Sequence, residues 1–331
     1  MMNKIKHNWF IVCKSNALKN KPRRVMLFGK AIVVFRTKSG ISALEDRCPH
    51  RNAPLSCGKI INDNIQCPYH GWTFNKQGEC IDIPGLCVTS HHSLRTVPCY
   101  FTLEYQNFIW VCPVLNYKPS DLPYWPTEMD FQKTILQRTV RASLINTLEN
   151  FLDATHTHFI HSGLIRKNNN RQSVKAYIFR RSHRVDIRYN NESKQNGFIS
   201  RFFEKERVES VGRYLFPSLG QIEYRNKEGT SLLICLYLTP MDNEHLAVFI
   251  VIHSPRSWIP LFVKKAFILP FLKIALKQDL TILKTQADNI SFFGSESFTF
   301  SPLDLIRSHI TQIIENEGNA PMVEENTIVN I

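Results

Sequence analysis

The sequence has no repeat, no low-complexity segment and no long uninterrupted apolar run. Its 331 residues include 13 glycines and 17 prolines, an ordinary share that excludes collagen-like and low-complexity classes. The most apolar stretch, Trp258 to Leu276, is interrupted by Lys264, Lys265, Pro270 and Lys273. This pattern favours an amphipathic buried helix over a membrane span. A contact with the surface of a membrane stays an alternative for this stretch.

Signs of secretion are also missing. The segment from Met1 to Phe10 lacks the charged region followed by an apolar run that marks a signal peptide. The nine cysteines have irregular spacings, which do not suggest a disulfide framework in a chain of this length. We therefore expect a cytoplasmic protein.

Acidic residues are in short supply, with 28 against 41 lysines and arginines and a formal net charge of +13. Such a balance favours acidic partners or anionic substrates. The basic residues are scattered among aliphatic segments with no recognition motif beside them, so nucleic acid is not an expected partner. With 43% hydrophobic residues, the chain can bury a large core and is expected to form two domains.

Two short segments combine cysteine with histidine. The first reads Cys48-Pro49-His50, and after sixteen residues the second reads Cys67-Pro68-Tyr69-His70, followed by Gly71-Trp72. Two cysteines and two histidines suit either tetrahedral zinc or a [2Fe–2S] cluster with the cysteines on one iron and the histidines on the other. Zinc fingers pair cysteine with cysteine, whereas each segment here carries one ligand of each kind. The spacing therefore favours the iron–sulfur cluster.

A second group of candidate ligands lies between Glu149 and His161, where three histidines and two carboxylates fall within thirteen residues. Two imidazoles and one carboxylate are the ligands of non-haem Fe(II) sites that leave positions open for O₂. His158 and His161 would share one face of a regular helix. His156 and His161 would converge only if the helix breaks between them. Spacing alone thus favours the 158/161 pair.

The two cysteine–histidine segments resemble the Rieske cluster-binding motif. Asp153-x-x-His156-x-x-x-x-His161 resembles the mononuclear iron motif of the Rieske non-haem iron oxygenases, closest to the short vanillate and dicamba demethylases. The resemblance covers nearly the whole chain in the family's order. It implies that the [2Fe–2S] ligands are Cys48, His50, Cys67 and His70. It also implies that His156 and His161, not His158, bind Fe(II).

The same resemblance extends to a late helix that contains Gln278-Asp279. In the family this aspartate completes the iron site, so Asp279 is the expected third ligand and Asp288 its competitor. Asp153 is expected to bridge a ligating histidine to a cluster histidine of a neighbouring subunit. That role implies a head-to-tail homotrimer.

The implied function is that of a terminal oxygenase that hydroxylates or oxidatively demethylates a small aromatic or cyclic substrate with O₂. The sequence has no nicotinamide or flavin fingerprint, so electrons are expected from an NAD(P)H-dependent reductase, a ferredoxin or both. The alternative is a Rieske-type electron-transfer or ligand-binding protein without oxygenase activity. The sequence does not choose the substrate: large apolar residues such as Phe198, Phe202, Leu215, Leu233 and Phe249 are more often core than pocket, and Arg201 could hold a carboxylate.

The expected fold class is α+β. We predict a small antiparallel β Rieske domain over residues 1–115, a proline-rich linker over 116–131 and a polar tail over 318–331. The catalytic domain, 132–317, is predicted to be helix-grip-like, with an antiparallel sheet and flanking helices. Its predicted elements include helices over 142–161, 261–292 and 302–317 and a strand over 198–203.

Overall fold

The computed structural model describes residues 2–86, 96–126, 131–166, 171–190, 207–256 and 261–331. Up to residue 126, its described part contains eleven short strands in three antiparallel sheets. The strands are β1 Phe10–Lys14, β2 Arg23–Leu27, β3 Lys30–Thr37, β4 Gly40–Glu45, β5 Lys59–Ile61, β6 Asn64–Gln66, β7 Thr73–Phe74, β8 Cys80–Asp82, β9 Cys99–Tyr100, β10 Thr102–Tyr105 and β11 Phe108–Val111. The sheet orders are β1-β11-β10, β2-β3-β4-β9 and β5-β6-β7-β8.

The hairpin of β5 and β6 shows how the local sequence shapes these sheets. Its turn residues Asn62 and Asp63 have φ angles of 47° and 66°. Two consecutive positive φ angles form the turn whose twist suits a tight hairpin, and Asn and Asp tolerate this conformation better than most residues. The hairpin holds the first cysteine–histidine segment next to the second.

The larger part of the chain is built on one eight-stranded antiparallel sheet of order β12-β18-β17-β16-β15-β14-β13-β19. Its strands are β12 Phe131–Arg141, β13 Ser173–Arg181, β14 Arg184–Asn190, β15 Glu209–Leu215, β16 Leu219–Asn226, β17 Gly229–Pro240, β18 His245–Pro255 and β19 Val323–Asn330. The described helices are α1 Leu144–Leu152, α2 Leu261–Phe293 and α3 Arg307–Glu315. This architecture confirms the predicted α+β class.

The two faces of the large sheet have different neighbours. On one face, Ile222, Ile234 and Ile250 belong to the same apolar cluster as Leu148 of α1 and Leu276 of α2. On the other face, apolar residues of the sheet pack against the N-terminal part of the chain. Members of that second cluster are Leu215, Leu219, Leu233, Cys235, Tyr237, Phe249 and Val251 of the sheet with Trp9, Ile11, Phe108 and Trp110. Leu215, Leu233 and Phe249 are therefore core residues of the junction between the two parts.

The predicted linker takes part in this junction. Trp125 is buried, and its indole stacks on Tyr237 with ring centroids 5.5 Å apart and an angle of 13° between the planes. The indole nitrogen of Trp9 donates to the carbonyl oxygen of Asp121 at 3.0 Å. The described linker residues thus pack against both parts of the chain.

Several predicted elements differ from the structure. The helix predicted over 142–161 ends at Leu152, and the helix predicted over 302–317 is limited to α3. The predicted polar tail contains β19, which pairs with β13 along the edge of the large sheet. The predicted strand over 198–203 lies outside the described residues, as do Phe198, Arg201 and Phe202.

The helix predicted over 261–292 agrees with α2, and Pro270 lies inside it. Among the described residues, no helix is both long and apolar enough to cross a membrane.

Candidate metal centres

The two cysteine–histidine segments form tight turns of the same design, which we call the first hook (48–53) and the second hook (67–72). In the first, Cys48 N donates to Ala53 O at 2.9 Å and Asn52 N donates to Cys48 O at 2.8 Å. In the second, Cys67 N donates to Trp72 O at 2.8 Å and Gly71 N donates to Cys67 O at 3.2 Å. The fifth residue of each hook, Asn52 or Gly71, has a positive φ. Asn and Gly are the residues that accept this conformation most readily.

The hooks sort their ligands by chemistry. Cys48 and Cys67 are buried and close enough for their thiols to hydrogen-bond. Burial raises the pKa of the Cys48 thiol to about 11; hydrogen bonding to the backbone at His50 opposes this rise, and contact with Cys67 adds to it. The rings of His50 and His70 lie 4.5 Å apart between centroids. Two neighbouring sulfurs and two neighbouring imidazoles fit a cluster that has two thiolates on one iron and two imidazoles on the other.

Aromatic rings cover both histidines of the hooks. Trp72 stacks on His50 with centroids 4.7 Å apart and planes within 7°. Tyr69 lies over His70 at 3.8 Å and is itself 65% exposed. The thiol side of the site therefore faces the interior, and the His70 side faces the surface.

The second candidate centre begins where α1 ends. The Asp153 carboxylate accepts hydrogen bonds from Thr155 N at 2.7 Å and from His156 N at 3.1 Å. These bonds form a turn that competes with helix continuation, as Asp side chains commonly do. A short 3₁₀ turn over His156–His158 follows. The regular helix that made the 158/161 pair attractive is therefore absent at this point.

The structure brings His156, His161 and Asp279 together. One ligand atom from each lies within 4.8 Å of the others. Asp279 Oδ1 is 3.1 Å from His161 Nε2 and 3.5 Å from His156 Nε2. His158 is buried outside this group. Asp288 also lies outside it, because it pairs with Lys284 at 2.5 Å and with Arg141.

The charges of this centre fit a bound cation. Burial lowers the pKa of His156, but Asp153 and Asp279 outweigh burial and raise this pKa to about 9. Burial raises the pKa of Asp279, whereas His156 and His161 lower it by more, so the net shift is downward. Asp279 Oδ1 is buried and receives no well-directed hydrogen bond from the described residues. Two imidazoles around such an oxygen form the mixed nitrogen–oxygen set typical of Fe(II).

Sequence reasoning assigned no role to Gln278. Its Oε1 lies 2.9 Å from Nδ1 of His161, on the side of the ring opposite Asp279. The only sequence signal was its position next to Asp279, and that position alone does not indicate which ring it would reach.

Two cavities meet at the centre. One, of about 200 Å³, lies between the large sheet and α2, and its walls include aliphatic residues of β16, β17 and β18 as well as His156, His161 and Asp279. The other, of about 380 Å³, is a groove on the far side of His156; its lining includes Glu149, Asp153, Phe298, Phe300 and Asp304. An apolar chamber therefore lies on one side of the triad and a surface groove on the other.

Both halves of the chain match domains of known protein families. Residues 8–99 match the Rieske [2Fe-2S] domain, and residues 140–302 match the vanillate O-demethylase oxygenase C-terminal domain. The two matches thus define an iron–sulfur domain followed by an oxygenase domain of the vanillate demethylase type. The chain belongs to the Rieske non-haem iron oxygenases, as an oxygenase (alpha) subunit of the vanillate demethylase type. Members of this family carry the [2Fe–2S] cluster and mononuclear iron, as predicted.

Individual relatives are distant. Methylxanthine N3-demethylase NdmB of Pseudomonas putida is 26% identical over 85% of this chain and 81% of its own length. Aminopyrrolnitrin oxygenase PrnD of Pseudomonas fluorescens is 30% identical over 47% of this chain, and the match spans 46% of that relative. The structure of dicamba monooxygenase bound to dicamba superposes with a TM-score of 0.78 at 18% identity, covering 95% of this chain and 97% of the other.

Proposed function

We propose that this chain is the terminal oxygenase of a multicomponent Rieske system. It would use O₂ and externally supplied electrons to hydroxylate or oxidatively demethylate a small aromatic or cyclic substrate. The observation that carries the proposal is the His156, His161 and Asp279 triad at the end of an apolar cavity. An electron carrier needs only the N-terminal domain and has no use for this second centre.

Each part of the site has a role in the proposal. His156, His161 and Asp279 hold the mononuclear iron, which when bound supplies the chemistry of O₂ activation. Cys48, His50, Cys67 and His70 hold the [2Fe–2S] cluster, which transfers one electron at a time. The aliphatic walls exclude water and position an apolar substrate next to the triad.

The electron donor is a separate NAD(P)H-dependent reductase, a ferredoxin or both. A donor with an acidic surface suits the net charge of +13, because opposite charges accelerate encounter between proteins. The predicted cytoplasmic location stays a prediction.

We further propose a head-to-tail homotrimer in which Asp153 connects the mononuclear site to the cluster of the next subunit. Asp153 Oδ2 lies 3.6 Å from His156 Nδ1 and lines the outer groove. The groove contains the acidic Glu149 and Asp304, whereas the exposed tip near the cluster carries Tyr69 and the basic Arg51. Arg307 also lines the groove and pairs with Glu149, so Asp153 and Asp304 leave the groove acidic, which suits the basic tip of another subunit.

The test of the oxygenase is iron and sulfide analysis of protein purified without oxygen. Wild-type protein is expected to hold the two cluster irons, one mononuclear iron and two sulfides. His161→Ala should lose only the mononuclear iron and keep the cluster spectrum. His158→Gln is the matched control and should keep all of the iron.

Two results would contradict the proposal. Wild-type protein with cluster iron alone would favour the electron carrier or the ligand-binding protein. Zinc in the hooks would refute the cluster assignment as well.

The trimer has its own test. Subunits with His70→Ala and subunits with His161→Ala should each be inactive alone, because each lacks one centre. Mixed trimers should recover activity if electrons pass between subunits. Mixtures that form trimers, seen by native mass spectrometry, but stay inactive would contradict the inter-subunit route.

A further inference from the structure

The two candidate iron-binding histidines have different partners behind their rings. His156 Nδ1 faces the Asp153 carboxylate at 3.6 Å, whereas His161 Nδ1 faces the side-chain amide oxygen of Gln278 at 2.9 Å. On the side of the ring that faces away from Asp279, His156 is therefore next to a negative charge and His161 is next to a neutral group.

Gln278 determines which nitrogen of His161 can bind a metal. The amide oxygen of Gln278 is the atom nearest the ring, and because an amide oxygen only accepts hydrogen bonds, this contact favours the tautomer with the proton on His161 Nδ1. The lone pair then resides on Nε2, the atom 3.1 Å from Asp279 Oδ1. His161 is buried, with a side chain only 3% exposed, so water has little access to its ring and does not compete with Gln278 in orienting it. Gln278 thus fixes both the tautomer and the orientation of the ligand.

Gln278 and Asp279 are neighbours on α2 and contact opposite sides of the His161 ring. Successive helix residues point about 100° apart. Asp279 can therefore approach the metal side of His161 while Gln278 reaches the opposite side of the same ring. A single turn of α2 supplies one ligand and orients another.

The neutral amide also affects the charge of the centre. A divalent iron is balanced by Asp279 and partly by Asp153 behind His156. A second carboxylate behind His161 would add another negative charge, which raises ligand basicity and favours the ferric state. We propose that Gln278 is a positioning residue that orients His161 through a neutral acceptor and thereby keeps the iron reducible. This inference rests on the proposed iron site and deepens it.

Two substitutions separate the hydrogen bond from the charge. Gln278→Leu keeps a side chain of similar size but removes the acceptor, so iron affinity is expected to fall by about 10–100-fold, the usual effect of losing such a partner. Gln278→Glu keeps the acceptor and adds a charge, so iron should stay bound while its reduction potential falls. Asn289→Asp, an exposed position on the same helix, makes the same amide-to-acid change away from His161 and should alter neither quantity.

Iron affinity is measured by anaerobic competition with a chelator, and the potential by redox titration followed by the EPR signal of ferric iron. If the iron in Gln278→Glu has the same reduction potential as the iron in Asn289→Asp, the added charge does not affect the iron and this part of the proposal is wrong. If Gln278→Leu binds iron as tightly as wild type, Gln278 does not position His161 for metal binding. Wild-type protein without mononuclear iron would instead contradict the proposed function itself.

Discussion

His253 titrates at the junction of the two halves of the chain, and we predict that it makes this junction sensitive to acid. The residue lies on β18, is only 2% exposed and packs near the ring of Trp125. Lys133 is its direct neighbour across the sheet on β12. Lys133 also lies over the Trp125 ring and donates to Gln106 Oε1 of the N-terminal part at 3.0 Å. Protonated His253 would thus be a second, poorly solvated cation in this contact.

The magnitude follows from the pKa of His253. Burial, and to a smaller extent the positive charge of Lys133, lowers this pKa from 6.5 to about 4. The folded protein therefore binds this proton less readily than the unfolded chain. The resulting stability is fully present above pH 6.5 and is lost as the pH falls towards 4. Between pH 7 and pH 5, the loss from this group alone is about 2 kcal/mol of unfolding free energy.

The assay is urea unfolding at pH 7 and pH 5, followed by tryptophan fluorescence. His253→Leu removes the titrating group while keeping an apolar side chain, so it should lose about 2 kcal/mol less than wild type over this pH range. Lys133→Met should reduce the loss in part. His183→Gln changes an exposed histidine and should behave like wild type. An equal acid-induced loss in His253→Leu and wild type would refute the reasoning.

Two further predictions concern the iron domain. Asp153→Asn keeps one oxygen that can accept from Thr155 N and puts a neutral amide group where the other carboxylate oxygen faces His156, so iron should still bind to His156, His161 and Asp279 while electron transfer from cluster to iron slows; stopped-flow reoxidation of the cluster at the wild-type rate would contradict this. Gly220→Ala should lower the unfolding free energy by about 1–3 kcal/mol, because its Cβ would lie 2.9 Å from Phe151 in a packed core. Gly212→Ala, whose nearest contact would be 3.6 Å, is the control in the same urea assay, and an equal cost for both would contradict the steric argument.

The sequence by itself determined the features whose parts lie close together in the chain. Each hook needs a cysteine, a histidine two or three residues later, and Asn52 or Gly71 at the position of positive φ. A turn of this length is specified by its own residues, so the candidate cluster site could be recognised before any fold was known. The eight-stranded sheet was foreseen in part, because alternating apolar residues indicate strands but not their order.

The ligands in the short segment from Asp153 to His161 could be predicted from the sequence only in part. Regular helical spacing favoured His158, and only the resemblance to a family motif favoured His156. The structure supplies the reason: the Asp153 carboxylate binds backbone N–H groups beyond α1 and ends the regular helix. A local hydrogen bond thus overrides the periodicity on which the spacing argument depended.

Only the tertiary structure decided which distant groups meet. Asp279 and Asp288 share α2 and look alike in sequence, but Asp279 faces two imidazoles and Asp288 pairs with Arg141 and Lys284. The sequence also does not indicate the contact of Gln278 with His161 or the pairing of β19 with β13. Such contacts depend on how α2 and the chain terminus pack against the sheet, and packing is a property of the whole core.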